Sequence, residues 1–155
     1  MPRLSQLMIR TALIWLVVGY TIGGLVLANK GWPILPWIWR LRLAHVHILL
    51  VGWTVQLACG VAFWILPRLD AKGSRGNVGL VWFCYATLNS GVLLASLYEP
   101  LRVILPSLTA VFIVLAGICY IAAIVAFVAH AWVRIVPFRI LPRNGAHDAV
   151  DDSEP

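Results

Sequence analysis

The sequence predicts an all-α integral membrane protein with four transmembrane helices. Three observations predict it: apolar residues make up 61% of the 155 residues, charged residues only 12%, and the mean hydropathy is +0.89. A soluble domain carries about 25% charged residues and hides its apolar surface in one core. The same composition excludes a disordered chain and a disulfide scaffold.

Four long uncharged runs separate the charges, at residues 11–28, 43–67, 76–98 and 103–133. A helix that crosses the hydrocarbon core needs about 20 apolar residues, so each run predicts one span. The last helix is expected to begin at Pro106, since proline is tolerated in a first turn. The predicted spans are therefore about 11–28, 43–67, 76–98 and 106–133, in an up-down bundle.

The basic residues predict the orientation of this bundle. With the N-terminus inside, eight Lys and Arg residues fall in inner segments and four in outer loops, which favours N-in, C-in. The formal net charge of +6 does not indicate a nucleic-acid partner, because basic residues at helix ends reach lipid phosphates. The predicted partner of the surface is the lipid bilayer.

The chain divides into a transmembrane domain at 1–143 and a polar, acidic tail at 144–155, which is predicted to be disordered. The first apolar run follows Arg3 and Arg10 and so resembles a signal peptide. It is longer than a typical signal core of about 7–15 residues, which favours a retained first helix. The three cysteines lie inside predicted spans without metal-binding spacing and are interpreted as apolar filler.

Five polar residues inside the spans need an explanation: His45, His47, Gln56, Asn89 and His130. An ionisable side chain at membrane depth is a functional candidate by default. Gln56 and Asn89 predict hydrogen bonds between helices. His130 falls near the end of the last span and is interpreted as an interfacial histidine.

His45 and His47 are the leading site candidates. The two residues are two positions apart, and on an α-helix this separates their side chains by about 200°. They therefore point to opposite flanks of the helix and are expected to serve different sites. Gly52 shares the His45 flank at about 100° per residue. Its missing side chain leaves room for a flat group such as a porphyrin, or else for close helix packing.

Arg40 and Arg42 come just before the histidine pair. Guanidinium groups suit bidentate pairing with carboxylates, so these residues are candidates for holding haem propionates. Binding of lipid headgroups explains them equally well.

The segment AHVHILLVGW at 44–53, followed by GVAFWILP at 60–67, resembles the histidine-bearing helices of subunit I of haem-copper oxidases, the superfamily of cbb3-type oxidases and nitric oxide reductases. The resemblance covers residues 44–67 well, while the third and fourth spans match only in hydropathy. It implies that His45 and His47 bind two different haems on opposite flanks.

The departures from that family limit the expectation. Its catalytic subunit is similar to a ring of three four-helix arcs, and this chain is one arc long. It has no second histidine helix, no histidine cluster for copper and no cross-linked His–Tyr pair, so a complete oxidase in one chain is not expected. A homotrimer would rebuild the ring, with one haem b between His45 of one chain and His47 of the next. A dimer with one shared haem is the simpler alternative.

The function predicted on this basis is electron transport by a haem b protein of a bacterial or archaeal cytoplasmic membrane. Two axial histidines fill the iron coordination and favour electron transfer, with a periplasmic carrier or quinol as exchange partner. Two alternatives stay open. One is a non-haem accessory or structural subunit of a respiratory complex, and the other is a copper-handling protein that uses His45 and His47.

Overall fold

The computed structural model describes residues 1–33, 35–68 and 74–135, and within these ranges the chain is helical with no strand. Four helices follow one another: α1 (Arg3–Gly31), α2 (Pro36–Ile65), α3 (Val78–Leu101) and α4 (Pro106–Trp132). Each is long and apolar enough to cross a membrane. The predicted all-α fold with four candidate spans is confirmed, whereas the tail at 144–155 lies outside the described residues.

Consecutive helices pack against each other and run antiparallel. In the α1–α2 pair, the late residue Gly23 meets the early residue His45, and the early residue Ser5 donates a hydrogen bond to the late Gly60 carbonyl. The α1–α2 and α3–α4 pairs have the most extensive contacts among the described residues. Contacts between α2 and α3 join the two pairs into one bundle.

Helices α1, α2 and α3 each extend beyond their uncharged run at one end or at both. Helix α1 already begins at Arg3, and α3 continues through Glu99 and Pro100. Terminal turns tolerate charged side chains because these can extend back to water, so a search for uncharged runs cuts helices short. Pro106 stands in the first turn of α4 as predicted.

Helix α2 changes its winding along its length. It opens with a 3-10 segment at Pro36–Arg40, continues as α-helix at Leu41–His47, widens to π-helix at Ile48–Val55 and returns to α-helix at Gln56–Ile65. The π-helix bonds each residue to the fifth one along, which adds a residue to every turn and is rare outside functional sites. The uniform rotation of about 100° per residue expected from His45 to Gln56 is therefore wrong for this stretch.

The enclosed side chains form two apolar clusters. Leu4, Met8, Cys59, Phe63 and Val81 make the first, from α1, α2 and α3, and Cys84, Leu88, Ala123 and Ala126 the second, from α3 and α4. Many large apolar side chains remain on the outside, including Val114, Ile118, Ile121 and Val125 of α4. Such a surface is compatible with contact to a lipid bilayer.

Candidate functional site

The His45 ring lies between α2 and α1. Its Nδ1 is 2.8 Å from the Gly19 carbonyl oxygen, which only accepts, so Nδ1 carries the proton and donates. Gly23 makes room for the ring, since a Cβ there would lie 2.8 Å from Nδ1 and closer still to Cε1. With Nδ1 as the donor, Nε2 is the ring nitrogen left to bind a ligand, and it makes no hydrogen bond to the described part of the chain.

His47 points to a different helix, as the spacing of two predicts. Its Nδ1 lies 3.4 Å from the Tyr120 hydroxyl of α4, and the two rings stack with centroids 5.9 Å apart. That hydrogen-bond distance is longer than the usual range, so the contact orients the ring only weakly. Both histidines are half-buried, and each reaches the surface of the bundle.

Gly52 requires a correction to the porphyrin interpretation. A Cβ on Gly52 would lie 2.9 Å from Cγ of Trp15 in α1, so the indole occupies the space that the missing side chain leaves. Close helix packing, the other interpretation of this glycine, is what the structure shows. Gly52 is therefore explained without a bound group.

Arg40 and Arg42 border two neighbouring clefts at the start of α2. The first, of about 420 Å³, is lined by Arg40, Trp37 and Pro100, among others. The second, of about 530 Å³, is lined by both arginines together with Val46 and Glu99. Glu99 pairs with Arg102 at 3.7 Å, and no ion pair of Arg40 or Arg42 occurs within the described ranges. Their guanidinium groups remain available to carboxylates or phosphates.

A polar network joins α1, α2 and α3 below the histidine pair. Trp15 Nε1 donates to Asn89 Oδ1 at 2.8 Å, Asn89 Nδ2 donates to Gln56 Oε1 at 2.8 Å, and Gln56 Nε2 donates to the Met8 carbonyl at 3.1 Å. The prediction that Gln56 and Asn89 form hydrogen bonds between helices is confirmed. Gln56 is fully buried, so this network holds the three helices in one register.

His130 lies at the other end of the bundle and is more enclosed than the sequence suggests. Only 3% of its surface is exposed, and both ring nitrogens have partners: the Asn77 carbonyl oxygen at 3.0 Å and Arg134 at 3.1 Å. Within the described part of the chain, it is separated from His45 by most of the length of α2. A single chain thus does not bring His130 to the His45–His47 pair.

Sequence reasoning missed four residues that shape these sites: Trp15, Gly23, Tyr120 and Arg134. Two of them carried a usable signal. Gly19 and Gly23 are four apart on α1, which is typical of close helix contact. His130 and Arg134 are also four apart and therefore share a helix face. Trp15 and Tyr120 carried no such signal, because only the packing of neighbouring helices selects them.

The described residues hold no group of three or more His, Cys, Asp or Glu side chains arranged to bind a metal ion. No protein-family model, curated protein or solved structure matches this chain.

Proposed function

We propose that this chain is a haem b protein of a bacterial or archaeal cytoplasmic membrane that transfers electrons. His45 and His47 act as axial ligands, and the chain lies N-in, C-in with this pair toward the outer face. The observation that carries the proposal is the hydrogen bond of His45 Nδ1 to the Gly19 carbonyl. An imidazole whose Nδ1–H is fixed by a backbone carbonyl presents Nε2 as a ligand in a defined orientation.

The residues present fit a haem at the flanks of α2 but not beside Gly52. His45 and His47 contact different helices, so each serves a separate iron, and the second axial ligand comes from another chain. Arg40 and Arg42 have no ion-pair partner in the described ranges and suit two propionate carboxylates. Trp15 fills the space at Gly52, so that glycine has no part in the proposed site.

Sharing of ligands implies a homo-oligomer. A trimer in which His45 of each chain faces His47 of the next closes into a ring with one haem per interface. A dimer with one shared haem satisfies the same ligand count at a single interface. When bound, the haem supplies reversible one-electron chemistry. The chain fixes the orientation of His45 through Gly19, whereas Tyr120 orients His47 only weakly.

The test is the dithionite-reduced minus oxidised absorption spectrum of the detergent-purified protein, with haem quantified per chain. One haem per chain supports the trimer, and half a haem supports the dimer. His45→Ala and His47→Ala should each remove at least about half of the haem, whereas His147→Ala in the tail serves as the control and should keep it. Full haem in both single variants would overturn the ligand assignment.

A spectrum without haem would support a structural subunit of a respiratory complex. In that case the Trp15–Gln56–Asn89 network would still hold three helices together through the chain's own hydrogen bonds. Metal analysis of the same sample would then decide whether His45 and His47 bind copper.

A further inference from the structure

His130 is the most completely bonded histidine in the described part of the chain. Its Nδ1 lies 3.0 Å from the carbonyl oxygen of Asn77, the residue that caps the start of α3. Its Nε2 lies 3.1 Å from a terminal nitrogen of Arg134. The Phe63 ring of α2 packs against it with centroids 5.4 Å apart. The ring therefore contacts α2, the start of α3 and the end of its own helix.

These two partners fix the protonation state of the ring. A carbonyl oxygen only accepts, so Nδ1 must carry a proton. A guanidinium only donates, so Nε2 must offer a lone pair. Only the neutral imidazole with its proton on Nδ1 satisfies both contacts. Because the ring is 3% exposed, water has little access to replace either partner.

Arg134 connects the same point to the end of α2. Its Nε donates to the Pro67 carbonyl at 3.0 Å, one terminal nitrogen donates to the Phe63 carbonyl at 3.3 Å, and the other donates to the Leu66 carbonyl. Carbonyls at the end of a helix lack partners within it, and Pro67 prevents the helix from continuing. A single side chain, 1% exposed, thus satisfies the end of α2 from the end of α4.

The charges around this cluster are all positive within the described ranges. The guanidinium carbons of Arg134 and Arg75 lie 5.5 and 5.8 Å from the centroid of the Phe63 ring, and Arg75 also donates to the Phe63 carbonyl at 3.4 Å. Burial lowers the pKa of Arg134, and the charge of Arg75 lowers it further, although a guanidinium stays protonated at any physiological pH. Protonation of His130 would add a third positive charge, and no carboxylate among these residues would compensate it.

We propose that His130 and Arg134 form a proton-sensitive latch that ties the end of α4 to the end of α2 and the start of α3. A proton added to Nε2 turns the acceptor of Arg134 into a donor. It also places a positive charge beside the guanidinium. The contact is lost on both counts, so acidification on this side of the protein releases the end of α4. Because the latch lies at the end opposite the His45–His47 pair, it is independent of haem binding.

The first experiment measures thermal unfolding of the full chain in detergent between pH 8 and pH 5. The wild type should lose several degrees as the pH falls through the range in which histidine titrates, near about 6.5. His130→Gln should flatten this dependence, since an amide can donate to Asn77 and accept from Arg134 but takes up no proton. His147→Gln, in the tail at 144–155, is the matched control and should keep the wild-type slope. A flat wild-type profile, or a His130→Gln profile with the wild-type slope, would overturn the latch.

If His130→Gln fails to accumulate, hydrogen exchange of the wild type tests the latch instead. After correction for the intrinsic effect of pH, backbone amides at the end of α4 should exchange about tenfold faster at pH 5 than at pH 8, because local opening sets their rate. Amides near the Trp15–Gln56–Asn89 network should keep their rates. Equal acceleration at both places indicates general loosening and would contradict a local latch.

Discussion

The two ends of the bundle use histidine in opposite ways. At one end, the half-buried His45 has one ring nitrogen fixed by the Gly19 carbonyl and leaves the other without a partner in the described part of the chain. At the other end, the enclosed His130 has both ring nitrogens bonded. A histidine with one nitrogen to spare suits binding, and one with none suits structural linkage. Within the described ranges, the two histidines thus differ in the number of ring nitrogens that have a partner.

The two ends also differ in how their arginines are used. The side chains of Arg40 and Arg42 are exposed, and both line the second cleft. Arg134 is buried and donates to three backbone carbonyls and one imidazole. Removal of a charge should therefore affect ligand binding at the first end and stability at the second.

The largest expected effect is at Arg134. Arg134→Ala removes the guanidinium that donates to the Leu66 and Pro67 carbonyls just after α2. It should lower the free energy of unfolding by about 3 kcal/mol or more, given the strength of charged hydrogen bonds. Denaturant unfolding in detergent measures this. Arg68→Ala is the control, because it removes the same charge from an exposed position and should change little. Equal effects of the two variants would show that the buried contacts contribute nothing.

The next effect tests the His45 end through two adjacent glycines. A Cβ at Gly23 overlaps the His45 ring, whereas a Cβ at Gly24 meets nothing within 4 Å. Gly23→Ala should lower the free energy of unfolding by about 1–3 kcal/mol through overpacking. It should also displace His45 and reduce haem content under the proposed function. Gly24→Ala should keep the haem content and should not lower the free energy of unfolding, since alanine favours a helix over glycine. An equal loss of stability in both variants would contradict the packing of the His45 ring against Gly23.

A smaller effect is expected between the two ends, at Asn89. Asn89→Ala removes the acceptor of Trp15 and the donor to Gln56, and the loss should be about 1–2 kcal/mol for two hydrogen bonds between helices. Thr87→Ala is the matched control, because its hydroxyl donates only to carbonyls of its own helix. Reversible unfolding in mixed detergent gives the free energy of unfolding of both variants. A difference near zero between them would show that the network does not contribute to the stability of the bundle.

The smallest effect is expected at Tyr120. Tyr120→Phe keeps the ring that packs on Gly91 and removes only a 3.4 Å contact to His47, so the free energy of unfolding should change by less than about 0.5 kcal/mol. Ser5→Ala sharpens the comparison: its buried hydroxyl donates to the Gly60 carbonyl at 2.7 Å and should be worth about 1 kcal/mol. A larger loss for Tyr120→Phe than for Ser5→Ala would mean that His47 is held more firmly than its distance indicates.

The sequence predicted the helical fold more completely than the candidate site. Hydropathy located all four helices, and the helix rotation predicted that His45 and His47 diverge. It misplaced Gly52, because the partner that fills a glycine notch comes from another helix and leaves no mark on the local pattern. It also treated His130 as interfacial, because the position of a residue along a helix does not reveal which side chains close over it.

By itself, the sequence determined that this protein is an all-helical chain with four segments able to cross a membrane. It also determined that one helix carries two histidines on different flanks. The first property follows from the summed hydropathy of each segment, and the second follows from the rotation per residue along one helix. Only the tertiary structure decided that Gly19 fixes the proton of His45, that Trp15 occupies the space at Gly52, and that Arg134 closes the end of α2. Each of these depends on how helices that are distant in sequence lie against one another, and close packing and hydrogen-bond geometry choose the partner.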